Sequence, residues 1–148
     1  MTLAEKLSAE IKSAMLARDQ DRLLALRALK SAVGYAQIER KNENLSDAEV
    51  VTLVQKEVKK RRDSVEQFEK GGRPELAARE KQEIVVLEAF LPAALEAEDL
   101  ETLVRETITE LGATSKKDMG PVIKAVQAKA AGRADGKSIS TLVGRLLP

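Results

Sequence analysis

The residue types best suited to chemistry crowd together near the C-terminus, in the stretch Gly132–Ser138. This stretch contains two glycines, a lysine and a serine, as do loops that bind nucleotide phosphates. The phosphate-binding motif G-x-x-x-x-G-K-[ST] wraps backbone N–H groups around a phosphate, but here one residue fewer separates Gly132 from Gly136. An Ala-rich helical pattern also precedes the stretch, where the motif requires a buried strand. The sequence therefore predicts a turn between two helices and no NTP site.

Pairs of glutamates at helical spacing are the next candidates for chemistry: Glu66 with Glu69, and Glu80 with Glu83. Paired acids can serve as acid and base or hold a metal, and the di-iron helical motif is Glu-x-x-His. The chain contains no His, so this motif is incomplete, and no nucleophile accompanies the acids. We therefore interpret all four as ordinary surface glutamates and predict no catalytic residue and no metal ligand.

Composition removes several classes of function. His, Cys and Trp are absent, which removes the commonest general base, thiolate chemistry and the usual ligands of transition metals. One Tyr and two Phe are too few for a protein that binds single-stranded nucleic acid by stacking. The formal net charge of +1 indicates no global positive field, so any nucleic-acid surface must be local. We expect no cofactor.

The sequence also carries no sign of a membrane segment or an export signal. The N-terminal residues Met1–Lys6 are charged and periodic, without the apolar region of a signal peptide. No apolar run approaches the ~20 residues that span a bilayer. We therefore expect a cytoplasmic protein without a membrane partner.

Basic side chains gather on the predicted third helix, at Lys56, Lys59 and Lys60. At 100° per residue these lysines fall within an arc of ~100°, almost opposite the apolar stripe of the same helix. Such an arc suits the phosphate backbone of a nucleic acid. It equally suits a solvated helix face whose bases pair with neighbouring acids, and both interpretations stay open.

Charge is strongly segregated in the C-terminal third of the chain. Residues 93–111 carry six acids and one base, whereas residues 112–148 carry seven bases and two acids. Lysines beside helix N-termini make anion sites, because the first N–H groups of a helix are unpaired. Asp118 and Asp135 can cap the same N–H groups, so an anion-binding surface and ordinary helix capping both stay open. The candidate anion-binding residues here are Lys116, Lys117, Lys124, Arg133 and Lys137.

Helical periodicity predicts the elements that position these residues. Ala, Leu, Glu, Lys and Arg dominate and period-2 strands are missing, so the fold class is all-α. The N-terminal part, residues 1–92, is predicted to be a four-helix bundle-like unit. The first helix is expected to run from near Leu3 to near Arg18, and the second from a cap at Asp19 to near Lys41. The third is expected to begin after the capping box of Ser46 and Glu49 and to end near Lys70, and the fourth to run from Pro74 to near Leu91.

The pattern within these helices makes two further predictions. Gly34 lies inside the second helix at a cost of about 1 kcal/mol relative to Ala, which a close helix–helix contact would explain. The fourth helix is predicted to turn its apolar residues toward a core, and these are Leu76, Ile84, Val85, Leu87 and Phe90.

A hinge at residues 93–97 is predicted to lead into a small three-helix C-terminal domain, residues 97–148. Its helices are expected near 99–111, 119–131 and 137–147. Asp118 is preferred to Ser115 as the cap of the middle helix, because it places Pro121 in the first turn. The first of these helices is predicted to bury Leu103, Val104, Ile108 and Leu111.

Three separated motifs, in order, resemble the YqeY family. They are Arg61-Arg62-Asp63-Ser64 with Glu66-Gln67-Phe68-Glu69-Lys70-Gly71; Glu83-Ile84 with Leu87-Glu88-Ala89-Phe90-Leu91-Pro92; and Lys117-Asp118-Met119-Gly120 with Val122-Ile123, Gly132-Arg133-Ala134-Asp135-Gly136-Lys137 and Leu142-Val143. The resemblance covers essentially the whole chain. This family shares a domain with the tail of GatB, the tRNA-binding subunit of the glutamine-dependent amidotransferase that corrects mischarged Glu-tRNA(Gln) and Asp-tRNA(Asn).

The resemblance implies an all-helical, non-catalytic module that binds tRNA by shape and phosphates. It implies no stand-alone transamidase, because the amide-donating and kinase-like chemistry of that complex lies in other domains. Through the shared domain, the chain would still be related to a carbon–nitrogen ligase that uses glutamine as amide donor. DNA is not expected as a partner. The alternative is an adaptor for an amidotransferase or an aminoacyl-tRNA synthetase, or an accessory of the glutamine-dependent ligase. Two residues depart from the family pattern: Pro121, where a polar residue is expected, and Glu96, where a Ser or Thr cap is more usual.

Overall fold

The computed structural model describes residues 1–41 and 43–148, and all regular structure in these ranges is helical. The elements are α1 (Leu3–Leu16), α2 (Gln20–Glu39), α3 (Asp47–Lys70), α4 (Pro74–Glu88), α5 (Ala97–Leu111), a short 3₁₀ helix (Lys116–Asp118), α6 (Met119–Ala130) and α7 (Gly136–Leu146). The all-α prediction is confirmed. The chain divides into two compact units, an N-terminal unit (Met1–Leu91) and a C-terminal unit (Pro92–Pro148).

Local capping chemistry determines where the first three helices begin. The predicted capping box of α3 is present: Ser46 Oγ accepts the N–H of Glu49, and the Glu49 carboxylate accepts the N–H of Ser46, both at 3.3 Å. Asp19 caps α2 as predicted and accepts the N–H of Arg22 at 3.2 Å. A second capping box, Thr2 with Glu5, begins α1 and was not predicted.

α2 and α4 end earlier than their sequence pattern indicates. α2 ends at Glu39 and not at Lys41, because Lys41 adopts a left-handed backbone with φ of 57°. α4 ends at Glu88, before Leu91, in a turn where the N–H of Phe90 donates to the carbonyl of Leu87 at 3.0 Å.

The N-terminal unit has one apolar core, to which all four of its helices contribute. The buried side chains are Leu7, Ala14, Leu23, Ala25, Leu26, Leu29, Val33, Val50, Val54, Val58, Ile84, Leu87 and Phe90. Val85 was predicted to face inward but is 69% exposed. At 100° per residue Val85 lies ~160° from Leu87, whereas Glu83 lies only ~40° from Leu87 and takes the buried place.

The two ends of this unit are tied together. The ammonium group of Lys6 donates to the carbonyl of Ala89 and lies 5.0 Å from the centroid of the Phe90 ring. The N–H of Leu3 donates to the carboxylate of Asp47 at 2.9 Å. The first turns of α1 therefore contact both the start of α3 and the segment after α4.

The C-terminal unit has its own core, formed by α5, α6 and α7. The buried side chains are Leu100, Val104, Val122, Val126, Ala130, Ile139, Val143 and Leu147. Leu111 was predicted inward but is 51% exposed, and Thr107 is buried in its place. The Thr107 hydroxyl donates to the carbonyl of Leu103 at 2.7 Å and accepts from Lys129 at 3.2 Å, so its burial leaves no unpaired polar group.

A buried ion cluster joins α3 to α4, the pair of helices with the most extensive contacts in the N-terminal unit. Arg61 pairs with Glu57 at 2.9 Å and with Glu83 at 3.4 Å, and all three side chains are less than one-seventh exposed. The interpretation of Glu83 as a surface residue is therefore wrong. Burial raises the pKa of the Glu83 carboxyl above its usual 4.5; the Glu80 carboxylate adds to this rise, and Arg61 opposes it.

Gly34 lacks the close helix–helix contact that the sequence suggested, because a Cβ built there meets no atom within 4 Å. We expect Gly34→Ala to stabilise the protein by about 0.5–1 kcal/mol, since Ala loses less backbone entropy in a helix. Gly72 has equally open surroundings but a φ of +70°, so Gly72→Ala should destabilise by about 1 kcal/mol or more. Urea unfolding followed by circular dichroism measures both changes, and equal effects of the two substitutions would contradict this explanation.

Removal of Arg61 should destabilise the N-terminal unit, because it leaves the buried carboxylate of Glu83 without its counter-charge and leaves Glu57 with Lys60 alone, at 3.9 Å. We expect Arg61→Met to cost about 3 kcal/mol or more in the free energy of unfolding. Adding Glu83→Leu to that variant should recover a large part of the loss, because it removes one of the unpaired charges. A loss below about 1 kcal/mol for Arg61→Met would show that these carboxylates reach water.

The raised pKa of Glu83 makes stability depend on pH in a defined direction. The folded state holds the Glu83 proton more tightly than the unfolded state, so stability should fall as pH rises from 4.5 through the folded-state pKa. Glu83→Gln should remove this fall, and the difference between wild type and variant across that interval is the measurement. If wild type instead gained stability over the variant as pH rises, the Arg61 pairing would outweigh burial.

Candidate functional site

Two of the predicted anion-binding residues, Lys116 and Arg133, donate hydrogen bonds to backbone carbonyls of the C-terminal unit. Lys116 donates to the carbonyl of Gly144 at 3.0 Å, near the end of α7. The Arg133 side chain donates to the carbonyl of Ala93 at 2.9 Å, and the Arg133 carbonyl accepts the N–H of Leu95 at 2.8 Å. Both cations are exposed, but part of their hydrogen-bonding capacity serves the fold.

Lys117 and Lys124 are more available to an anion than Lys116 and Arg133. Both are exposed, and neither forms a hydrogen bond or ion pair with the ranges that the structure describes. Six residues lie between them, and Lys117 belongs to the 3₁₀ helix whereas Lys124 belongs to α6. Asp118 occupies the N-cap position of α6 as predicted, which places Pro121 in the first turn. Its carboxylate, however, accepts the N–H groups of Thr114 and Ser115 at 3.0 and 3.3 Å and makes no capping hydrogen bond to α6.

Lys137 lies in a groove of mixed charge. The groove, about 610 Å³ in volume, runs between α5 and α7, and its charged lining residues are Glu98, Glu101, Lys137 and Arg145. Asp135 caps α7 and accepts the N–H of Ser138 at 2.6 Å, so capping occupies a donor that an anion would need. The two acids of α5 weaken the field that Lys137 presents to a phosphate.

The three lysines of α3 lie where the sequence predicted, on its exposed face. Lys56 and Lys59 make no hydrogen bond or ion pair within the described ranges, whereas Lys60 is 3.9 Å from Glu57. This geometry fits a phosphate-binding face and a solvated face equally well.

A second groove, which the sequence did not predict, lies between α2 and the α3–α4 pair. Its volume is about 590 Å³, and its lining residues are Leu24, Ala28, Ser31, Ala32, Tyr35, Glu57, Lys60, Arg61, Ser64, Glu80 and Glu83. The ion cluster of Arg61 therefore borders this groove. The helical phase of α4 was the available signal, since Glu83 lies on the same side as Leu87.

Within the part of the chain that the structure describes, no group of His, Cys, Asp or Glu side chains is arranged to hold a metal ion. Over the same residues, no helix has the length and apolar character needed to cross a bilayer. What the grooves offer a ligand is charged side chains on helix faces, with apolar side chains beside them.

Comparison with known proteins identifies relatives along most of the chain. A family model described as Yqey-like protein matches residues 4–147. The chain is 33% identical to the mitochondrial protein named Altered inheritance of mitochondria protein 41 from Lachancea thermotolerans, over 71% of this chain and 57% of that protein. The protein of that name from Kluyveromyces lactis is 31% identical, over 71% of this chain and 58% of that protein. The one from Saccharomyces cerevisiae (strain YJM789) is 26% identical, over 91% of this chain and 71% of that protein. The chain thus spans well under two thirds of the first two relatives.

The names of these relatives contradict the expectation of a cytoplasmic protein, because all three are called mitochondrial. That expectation was wrong because it rested on a missing secretory signal and missing apolar spans. Neither feature distinguishes the cytoplasm from mitochondria, whose targeting segments are amphipathic and Arg-rich.

The family match extends over almost the entire sequence and agrees with the all-helical structure. It also agrees with the resemblance carried by the three sequence motifs. The chain belongs to the YqeY-like protein family.

Proposed function

We propose that this protein is a non-catalytic helical module that binds tRNA through its shape and phosphates. The finer architecture is part of the proposal: a four-helix bundle-like part, residues 1–92, and a three-helix domain, residues 97–148, of the type that ends the amidotransferase subunit. The observation that carries the proposal is the exposed pair Lys117 and Lys124, which no acid within the described ranges neutralises. The excess of five positive charges over residues 112–148 supports it.

Two further groups of basic residues support the proposal. Lys116, Arg133 and Lys137 lie in the same unit and add to the local positive field, although each has backbone or acidic neighbours. Lys56, Lys59 and Lys60 offer a second basic face on α3. Phosphate contacts of this kind position RNA without reading its sequence, so the proposal concerns tRNA as a polyanion of defined shape.

A protein adaptor is the second candidate, for an amidotransferase, an aminoacyl-tRNA synthetase or a glutamine-dependent carbon–nitrogen ligase. The acidic surface of α5 favours it, because Glu98, Asp99 and Glu106 are exposed on one short helix. Such a surface repels RNA and attracts a basic protein face. A complex that survives nuclease treatment would favour this candidate over the first.

The tRNA proposal predicts a salt dependence set by the two lysines. Lys117→Ala with Lys124→Ala should weaken tRNA binding about tenfold at low salt. It should also flatten the plot of log K against log salt by about 1.5, since each phosphate contact contributes somewhat under one unit. Fluorescence anisotropy with labelled tRNA over a salt series measures both quantities.

The matched control removes two exposed lysines of the N-terminal unit, Lys12→Ala with Lys30→Ala, and keeps the net charge of the double variants equal. It should leave the salt slope unchanged. Absence of tRNA binding by the wild-type protein at low salt would end the proposal, and equal losses in both double variants would reduce it to non-specific charge attraction.

A further inference from the structure

The groove of the N-terminal unit shares only Lys60 with the proposed RNA contacts, and α2, which forms one of its sides, exposes large apolar side chains. α2 buries one face in the core but also exposes large apolar side chains on another: Leu24 is 58%, Tyr35 72% and Ile38 68% exposed. With Ala28 and Ser31 between them, these residues follow the alternating four and three spacing of a helix-packing stripe. Soluble monomers seldom expose such a stripe, which is typical of an interaction surface.

The charged side chains that line the same groove include one more acid than base. Three acids (Glu57, Glu80 and Glu83) face two bases (Lys60 and Arg61), so the formal charge is −1 when all three acids are ionised. Arg61 pairs with Glu57 and Glu83, and Lys60 lies nearest to Glu57. Glu80 is half-buried in the wall of the groove beside another carboxylate, that of Glu83. A cation brought to this point would be attracted, and a phosphate would be repelled.

Tyr35 contributes an aromatic ring that a cation can contact. Its ring lines the groove and is largely exposed, so its face is available to a guanidinium or ammonium group that also contacts Glu80. The small side chains of Ala28, Ser31 and Ala32 leave room for another backbone to approach α2 closely. Large apolar residues at both ends of the stripe with small ones between them suit a second helix lying along the groove.

We propose that this groove docks an amphipathic helix of a partner protein, with an arginine or lysine of that helix against Glu80 and Tyr35. Its apolar side chains pack on the α2 stripe, at Leu24 and Ile38. The charge of the groove favours this occupant over RNA. The inference is independent of the tRNA proposal.

The test uses two synthetic amphipathic helices with leucines at heptad a and d positions, one with a central arginine and one with a central glutamate. We expect the arginine peptide to bind the full-length protein at least tenfold more tightly in fluorescence anisotropy. Amide chemical-shift changes should be confined to α2 and the groove faces of α3 and α4. Glu80→Gln should abolish the preference between the peptides, and Leu24→Glu with Ile38→Glu should weaken both.

The control is Val85→Glu, which replaces an equally exposed apolar side chain of α4 outside the groove lining and should change neither affinity. Folding of each variant is checked by circular dichroism, and Glu80, which is not fully buried, tolerates replacement better than Glu83. The proposal is overturned if neither peptide binds, if both bind equally, or if the shifts lie elsewhere. Concentration-dependent dimerisation in analytical ultracentrifugation that Tyr35→Glu abolishes would also overturn it, by assigning the face to a second copy.

Discussion

The N-terminal unit depends on charges that are held out of water between α3 and α4. Arg61 reaches Glu57 on its own helix and Glu83 on the next, so the ion cluster fixes the two helices in register. The Nε atom of Arg61 is buried and makes no hydrogen bond within the described ranges. Desolvation of such groups costs several kcal/mol per ion, so the cluster contributes less net stability than its contacts suggest. Its main effect is to make the neighbouring groove polar on one side, while α2 keeps the other side apolar.

The two units use charge in different ways. The N-terminal unit places acids beside some of its bases, as around Arg61, whereas the C-terminal unit has its acids mainly on α5 and its bases mainly on the segments that follow. Lys129 of α6 pairs with Glu110 of α5, which shows one way in which this separation also holds helices together. The remaining exposed lysines are therefore those that intramolecular pairing does not need. This is why Lys117 and Lys124 carry the RNA proposal better than the more numerous lysines around them.

What could be predicted from the sequence was local. Ser46, Glu49 and Asp19 cap helices through contacts within three residues, and Pro74 begins α4 because its φ is already helical. What could not be predicted depends on partners far along the chain. The helical phase of α4 places Glu83 on the side of Leu87, but its partner Arg61 is identified only in the folded structure.

The same limit applies to the candidate sites. A positive charge near a helix start indicates an anion site, but Lys116 and Arg133 also bond carbonyls that are 28 and 40 residues distant in sequence. The groove beside α2 had no linear motif at all, because its lining comes from three helices. Its exposed stripe is visible in the sequence as spacing. Only the packed structure shows that α2 has a different face in the core.

The contact of Lys6 with Ala89 and Phe90 has a consequence for how the chain folds. It joins residues 83 positions apart, so the first helix cannot complete its native contacts until the end of α4 is available. Closing a loop of this length has an entropic cost that local helix contacts do not carry. During synthesis α1 must therefore remain only partly packed while the ribosome adds α2, α3 and α4.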